Sequence, residues 1–126
     1  MLRLSVVRDK KDPSPEVDAY HGRLFLNGKF VADCFERFSL ALPVGVYPVS
    51  IRGDAPGEKI SPALKRKVVW FEANRGWTYL HASSSPLKLK GCVGVLKRSI
   101  EDWVYDQVEA ELAAGGSVDV TIHQLE

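Results

Sequence analysis

The sequence predicts a mainly β domain of the α+β class: a compact antiparallel or mixed sheet, or a barrel, with one amphipathic helix followed by a final strand. Most segments are rich in β-branched residues and are separated by Gly and Pro turns, as expected for strands. A single segment repeats its apolar residues every three or four positions, as a helix does. The 126 residues suit one domain, 1–126, and the 45% hydrophobic and 26% charged residues are typical of a globular protein.

The first half of the chain contains the predicted strands 2–9, 20–36 and 42–51. The middle one is a hairpin, because Asn27 and Gly28 tolerate the positive φ angles of a two-residue turn. Pro48 lies inside the third strand and has no N–H to donate to a ladder. That proline therefore predicts a sheet edge or a bulge at this point.

The second half begins with a polar loop at 53–64 and continues with paired strands at 67–72 and 77–81, joined by a turn at 73–76. Residues 92–96 form a shorter predicted strand. Ser99 is the predicted N-cap of the helix, with Asp102 at the capping-box position, and Gly115 and Gly116 supply its C-terminal stop. The apolar stripe of this helix consists of Ile100, Trp103, Val104, Val108 and Leu112. The alternating residues 118–122 form the last strand.

Charge and composition exclude several classes of function. Seventeen basic and sixteen acidic residues give a net charge of +1, so no overall field attracts nucleic acid or an anionic membrane. No apolar run approaches the roughly 20 residues of a membrane span. The chain opens directly into a predicted strand rather than a signal peptide, so we expect synthesis in the cytoplasm and reduced thiols at Cys34 and Cys92.

The residues best suited to catalysis are His81, at a predicted strand end, and Cys92, directly after Gly91. A thiolate is a strong nucleophile, and a nearby imidazole can take the thiol proton and later protonate a leaving group. Backbone amides near Gly91 and Cys92 could hold an oxyanion, and Lys88 and Lys90 would favour the thiolate. The alternative is a histidine bonded to backbone and a buried structural cysteine.

Other polar residues have weaker claims to a role. Asp33 and Glu36 could orient His81, as the third group of a triad does, or could be exposed strand carboxylates. Cys34 is expected to be structural. No metal or cofactor is predicted, because the histidines and cysteines lack ligand spacing. The histidines concerned are His21, His81 and His123.

Two charged groups are expected to form solvated faces rather than binding sites. One is a basic cluster with interleaved aromatic residues. The alternation of side chains along a strand places these aromatic residues in the core, so a nucleic-acid groove is the less favoured interpretation. Its members are Lys59, Lys65, Arg66, Lys67, Arg75, Trp70, Trp77 and Tyr79. The other is the acidic face of the helix, expected to meet water. It consists of Glu101, Asp102, Asp106, Glu109 and Glu111.

Three blocks of the chain carry a resemblance to a known family. They read HGRLFLNGKFVADCFER, LPVGVYPV and LHASSSPLKLKGCVGV, in this order. They resemble the phage-associated family called domain of unknown function 5675, in which a hairpin with Asn-Gly precedes a Pro-x-Gly strand and a His-to-Cys loop. The spacing of His81 and Cys92 matches that loop. The resemblance covers most of the chain and implies the same β-rich fold.

The loop is also similar to the catalytic segment of L,D-transpeptidases, cysteine enzymes that cut and rejoin peptidoglycan peptides. This similarity implies that Cys92 is the acyl acceptor and His81 its base. The sequence departs from both patterns. Ser84 stands where the phage family usually has Asn, Lys90 where an acidic residue is common, and Gly94 where the transpeptidases have Arg.

The resemblance implies a Cys/His acyl-transfer enzyme, L,D-transpeptidase-like or a peptidase, acting on peptidoglycan peptides in a phage or prophage. Its catalytic residues would be Cys92, His81, Ser84, Gly91 and Glu36. Such a protein would reach the cell wall through phage lysis, a virion or a secretion machine. The alternative is a non-catalytic virion or accessory protein that self-associates or binds a protein, glycan or nucleic-acid partner.

Overall fold

A computed structural model describes residues 1–52, 68–72, 78–83 and 92–125. The predicted polar loop at 53–64 and the turn at 73–76 lie outside the described residues, as do Ser84 and Gly91. Within the described ranges, no helix has the length and apolar character that a membrane crossing needs.

The described residues form eight strands and one α-helix, which confirms the predicted fold class. The strands are β1 (Leu2–Lys11), β2 (Ala19–Leu26), β3 (Lys29–Arg37), β4 (Gly45–Arg52), β5 (Val68–Phe71), β6 (Tyr79–Ala82), β7 (Val93–Val95) and β8 (Val118–Gln124). The helix is α1 (Arg98–Ala113), and a single 3-10 turn, Phe38–Leu40, follows β3.

The strands close into a barrel in the order β1-β2-β3-β7-β6-β5-β4-β8. Two neighbouring pairs are parallel, β1 with β8 and β6 with β7, and the others are antiparallel. Among the described residues each strand has two neighbouring strands, which closes the wall. The barrel is therefore of mixed type.

The hairpin between β2 and β3 turns where the sequence predicts. Asn27 has φ of 47° and Gly28 has φ of 82°, both in the left-handed region that a two-residue hairpin turn requires. The side-chain oxygen of Asn27 also accepts a hydrogen bond from the backbone N–H of Arg3, at 2.9 Å. This contact ties the turn to the start of β1.

Of the two alternatives that the sequence predicts at Pro48, a sheet edge or a bulge, the closed barrel excludes the edge. Strand β4 pairs with β8 from Gly45 to Pro48, and then with β5 from Val49 to Arg52. The proline lies where the strand changes partner, and its carbonyl accepts a hydrogen bond from Glu72. A residue without an N–H is tolerated inside the barrel wall at such a change of pairing.

Alternate residues of each strand face the barrel interior, because side chains point to opposite faces of a strand in turn. Together with the buried side of α1 they form one apolar core. The fully buried members on the strands include Leu4, Val6, Leu24, Phe71, Leu80, Val93, Val95, Val120 and Ile122.

Helix α1 covers one end of the barrel. It runs from the end of β7 to the start of β8 and contacts β4, β5, β6, β7 and β8. Val104 and Val108 are fully buried in the same core as the strand residues. Ile100 and Leu112 pack against this core as the predicted stripe requires, whereas Trp103, also assigned to the stripe, is exposed.

The start of α1 differs from the prediction. The N-cap is Lys97 rather than Ser99, and its side chain makes no capping hydrogen bond. Asp102 does not complete a capping box; its carboxylate accepts a hydrogen bond from Arg98, one turn earlier, at 3.0 Å. The stop is as predicted, since Gly115 follows the helix with φ of 82°.

Candidate active site on the barrel wall

Cys92 and His81 lie on the outer face of the same part of the barrel wall. Strands β6 and β7 are parallel, with Leu80 beside Val93 and His81 beside Gly94. Leu80 and Val93 belong to the core inside the barrel. Because faces alternate along a strand, His81 and Cys92 both point outward.

The register also gives the relation between the two side chains. Cys92 comes one residue before β7, at the position beside Tyr79, so His81 is its diagonal neighbour. Diagonal positions on neighbouring strands lie on the same face of the sheet. Gly94 of β7 lies between His81 of β6 and Phe35 of β3. Because it is a glycine, no side chain separates these two residues on the outer face.

The sulfur of Cys92 is surrounded by aromatic residues and receives a backbone hydrogen bond. Cys92 is 5% exposed and packs in a cluster with Phe35 and Tyr79, with the partly buried Trp70 against it. The backbone N–H of Tyr79 donates to Sγ at 3.4 Å. A donor aimed at the sulfur favours the thiolate, whereas the apolar surroundings of this sulfur favour the thiol.

His81 is 8% exposed, and its ring is oriented by the backbone of the next residue. Its Nδ1 lies 2.9 Å from the carbonyl oxygen of Ala82. A carbonyl oxygen only accepts hydrogen bonds, so Nδ1 carries the proton. In this tautomer of the neutral ring, Nε2 carries the lone pair. A histidine that acts as a general base through Nε2 needs this tautomer.

Glu36 takes a different place from the one expected beside His81. It lies on the inner face of β3, and its two carboxylate oxygens accept hydrogen bonds from Arg8, at 2.6 and 2.7 Å. Arg8 also donates to the carbonyl oxygen of Leu42. All three residues are buried, so Glu36 is neither an exposed carboxylate nor on the face that carries His81. The reason is strand alternation, which turns Glu36 inward and Phe35 outward.

Asp33 is an exposed carboxylate, one of the two alternatives that the sequence allows. It lines an open cavity of about 400 Å³ on the outside of β1, β2 and β3, together with Asp9, His21 and Phe35. Phe35 also belongs to the cluster around Cys92, so this cavity adjoins the candidate site.

Glu101 is a residue of the site that the sequence interpretation missed. It is 4% exposed rather than solvated, and its carboxylate accepts a hydrogen bond from the backbone N–H of Ala82 at 2.6 Å. Its other oxygen lies 3.3 Å from Arg98. The signal was its spacing: Glu101 precedes Val104 and Val108 by three and seven residues and therefore shares their buried face.

The second cysteine lies on the other side of the wall. Cys34 faces the core, and burial raises the pKa of its thiol. The two cysteines form no disulfide. In the part of the chain that the structure describes, no group of three or more His, Cys, Asp and Glu side chains is placed to hold a metal.

The site thus consists of a thiol with an amide donor and an imidazole of defined tautomer, on neighbouring strands of a closed barrel. Comparisons of the chain with family models, with curated proteins and with solved structures find no match.

Proposed function

We propose that the protein is a Cys/His acyl-transfer enzyme, L,D-transpeptidase-like or a peptidase, that acts on peptidoglycan peptides in a phage or prophage setting. The observation that carries the proposal is the placement of His81 and Cys92 on one face of adjacent parallel strands, one diagonal step apart. Access to the cell wall through phage lysis, a virion or a secretion machine belongs to the same proposal.

In the first half of the reaction, Nε2 of His81 takes the proton of the Cys92 thiol and the thiolate attacks a peptide carbonyl carbon. The C–N bond then breaks, His81 gives the proton to the departing amine, and a thioester remains on Cys92. The N–H of Tyr79 stabilises the sulfur while it carries negative charge. Gly91 and Ser84, named among the catalytic residues on the strength of the resemblance, lie outside the described residues.

In the second half, an acceptor amine or water attacks the thioester while His81 takes its proton. The C–S bond breaks, and the Cys92 thiolate regains a proton from the imidazolium. An amine acceptor makes the enzyme a transpeptidase and water makes it a peptidase. The peptidoglycan substrate is supported by the similarity of the His-to-Cys loop to the transpeptidase segment.

The test is turnover of purified muropeptides by the wild-type protein and by Cys92→Ala, with Cys34→Ala as the matched control on the opposite face. We expect mass spectrometry to show new or shortened peptides with wild type and Cys34→Ala and none with Cys92→Ala. Circular dichroism should be the same for all three. Equal turnover by wild type and Cys92→Ala would remove the proposal.

A second candidate is a non-catalytic module that binds a partner. It is supported by an apolar surface cleft of about 250 Å³ between β3 and α1. Phe30 and Trp103, on its two sides, are 58% and 44% exposed. This candidate predicts an unreactive Cys92 and a discrete complex or oligomer in size-exclusion chromatography with light scattering.

A further inference from the structure

A carboxylate of the helix is buried against the strand that carries His81. Glu101 lies in the first turn of α1, and one of its oxygens accepts the Ala82 N–H at 2.6 Å. Its other oxygen lies 3.3 Å from Arg98. A buried carboxylate is costly unless it is paired and hydrogen-bonded, and these two contacts offset the cost.

The two peptide groups on either side of the Ala82 Cα make three hydrogen bonds. Its N–H donates to Glu101, and its carbonyl oxygen accepts from Nδ1 of His81 at 2.9 Å. The peptide bond that contains this carbonyl continues into the N–H of Ser83, which donates to the carbonyl of Val95 at 2.9 Å. Hydrogen bonds in such a chain strengthen one another. The position of the Ala82 carbonyl therefore depends on both the helix and β7.

We propose that Glu101 is a positioning residue for His81, an inference that rests on the proposed function. It fixes the end of β6 so that the Ala82 carbonyl meets Nδ1 and keeps the lone pair on Nε2. The carboxylate thus does for the imidazole, through one residue of backbone, what the third group of a triad does directly. An apolar side chain at position 101 would fill the same place on the helix but would leave the Ala82 N–H without this acceptor.

The experiment compares two variants. Glu101→Leu removes the hydrogen-bond acceptor but still fills the buried space with a side chain of similar size. Glu101→Gln keeps an amide oxygen that can accept from the Ala82 N–H. Asp102→Asn is the matched control, because Asp102 is the other carboxylate bonded to Arg98 and is exposed. Two quantities are measured: the His81 tautomer by ¹⁵N NMR, assigned with His81→Gln, and the rate of Cys92 alkylation by iodoacetamide.

We expect wild type, Glu101→Gln and Asp102→Asn to show a His81 ring protonated at Nδ1. Glu101→Leu should show a mixture of tautomers and a slower alkylation of Cys92, by up to about 100-fold, since small misplacements of a catalytic group can cost that much. If Glu101→Leu does not fold, Glu101→Met replaces it with a more flexible chain.

An unchanged His81 spectrum in a folded Glu101→Leu or Glu101→Met protein would overturn the inference, as would the same change in Asp102→Asn. The result also separates this inference from the proposed function. Suppose that the His81 tautomer depends on Glu101 but that Cys92 of the wild-type protein does not react. The positioning role of Glu101 would then stand, and the proposed enzymatic function would be contradicted.

Discussion

Strands β3, β7 and β6 form one stretch of the barrel wall. The polar residues on its inner and outer faces have different kinds of hydrogen-bond partner. On the inner face, Glu36 is bonded through both carboxylate oxygens to Arg8, and Cys34 lies in the apolar core. On the outer face, the sulfur of Cys92 and the Nδ1 atom of His81 are each bonded to a backbone group of β6.

The difference teaches that one set of strands can hold an ionic pair on its inner face and a backbone-bonded thiol and imidazole on its outer face. The inner pair is ionic and closed on itself, so its contribution is to hold β1 and β3 together. The outer pair is anchored by backbone groups, which in the proposed function hold Cys92 and His81 in place. Substitutions in the inner pair and labelling of the two thiols test this contrast, and the contacts of Asp18 lie outside both pairs.

Breaking the inner pair should cost the most. Arg8→Met leaves the Glu36 carboxylate buried without its bidentate partner, and we expect a loss of about 3–5 kcal/mol in the free energy of unfolding. The measurement is urea denaturation followed by tryptophan fluorescence. Combining Arg8→Met with Glu36→Leu should recover most of the loss, because no buried charge remains.

His21→Asn is the control, because its contact with Asp12 lies at the surface, where such pairs contribute little to stability. A loss below about 1 kcal/mol in Arg8→Met would show that the interior pair does not stabilise the barrel. The contrast between the two faces would then disappear.

The second prediction compares the two thiols directly. Iodoacetamide should label Cys92 at least about 100-fold faster than Cys34 in the native protein at neutral pH. Burial raises the pKa of the Cys34 thiol, whereas in the proposed function His81 removes the proton of Cys92, and each unit of pKa changes the thiolate fraction about tenfold. Peptide mapping by mass spectrometry gives the two rates separately.

Single variants Cys34→Ala and Cys92→Ala confirm which site is labelled. Equal, slow labelling of both thiols would contradict an activated Cys92. It would favour the binding module over the acyl-transfer enzyme.

The smallest effect is expected at the end of β3, outside both pairs. Ser39 donates two hydrogen bonds to Asp18, and Arg37 donates a third, which together lower the pKa of that carboxyl below its ordinary 3.8. A lowered pKa in the folded state adds stability that is fully present above 3.8 and is lost as the pH falls through the folded value.

Asp18→Asn should therefore flatten the fall of the thermal midpoint as the pH drops below 3.8. Asp106→Asn, on the exposed face of α1, is the matched control. The same acid profile in wild type and Asp18→Asn would contradict the assigned contact.

Much of the fold follows from local sequence signals. The Asn27 and Gly28 turn, the helical stripe through Val104 and Val108, and the stop at Gly115 all appear where the sequence predicts them. Each depends on interactions within a few residues, such as positive φ angles or side-chain periodicity, which a single sequence states directly.

The misplaced residues are those whose partners are distant in sequence. Pro48 reads as an edge residue until closure gives β4 two neighbours, and Glu36 reads as a surface carboxylate until Arg8 meets it inside the barrel. Glu101 looks like part of a solvated face because only the docking of α1 brings Ala82 to it. None of these contacts is visible within one element.

The sequence by itself determined the strand-rich class, the single helix before the last strand and the choice of His81 and Cys92 as the residues most suited to chemistry. Only the tertiary structure decided that the wall closes, that these two side chains point outward on neighbouring parallel strands and that Glu36 points inward. The physical reason is that residue type and periodicity are local properties. Strand order and register are set by the packing of the whole core, and a shift of one residue would reverse every face.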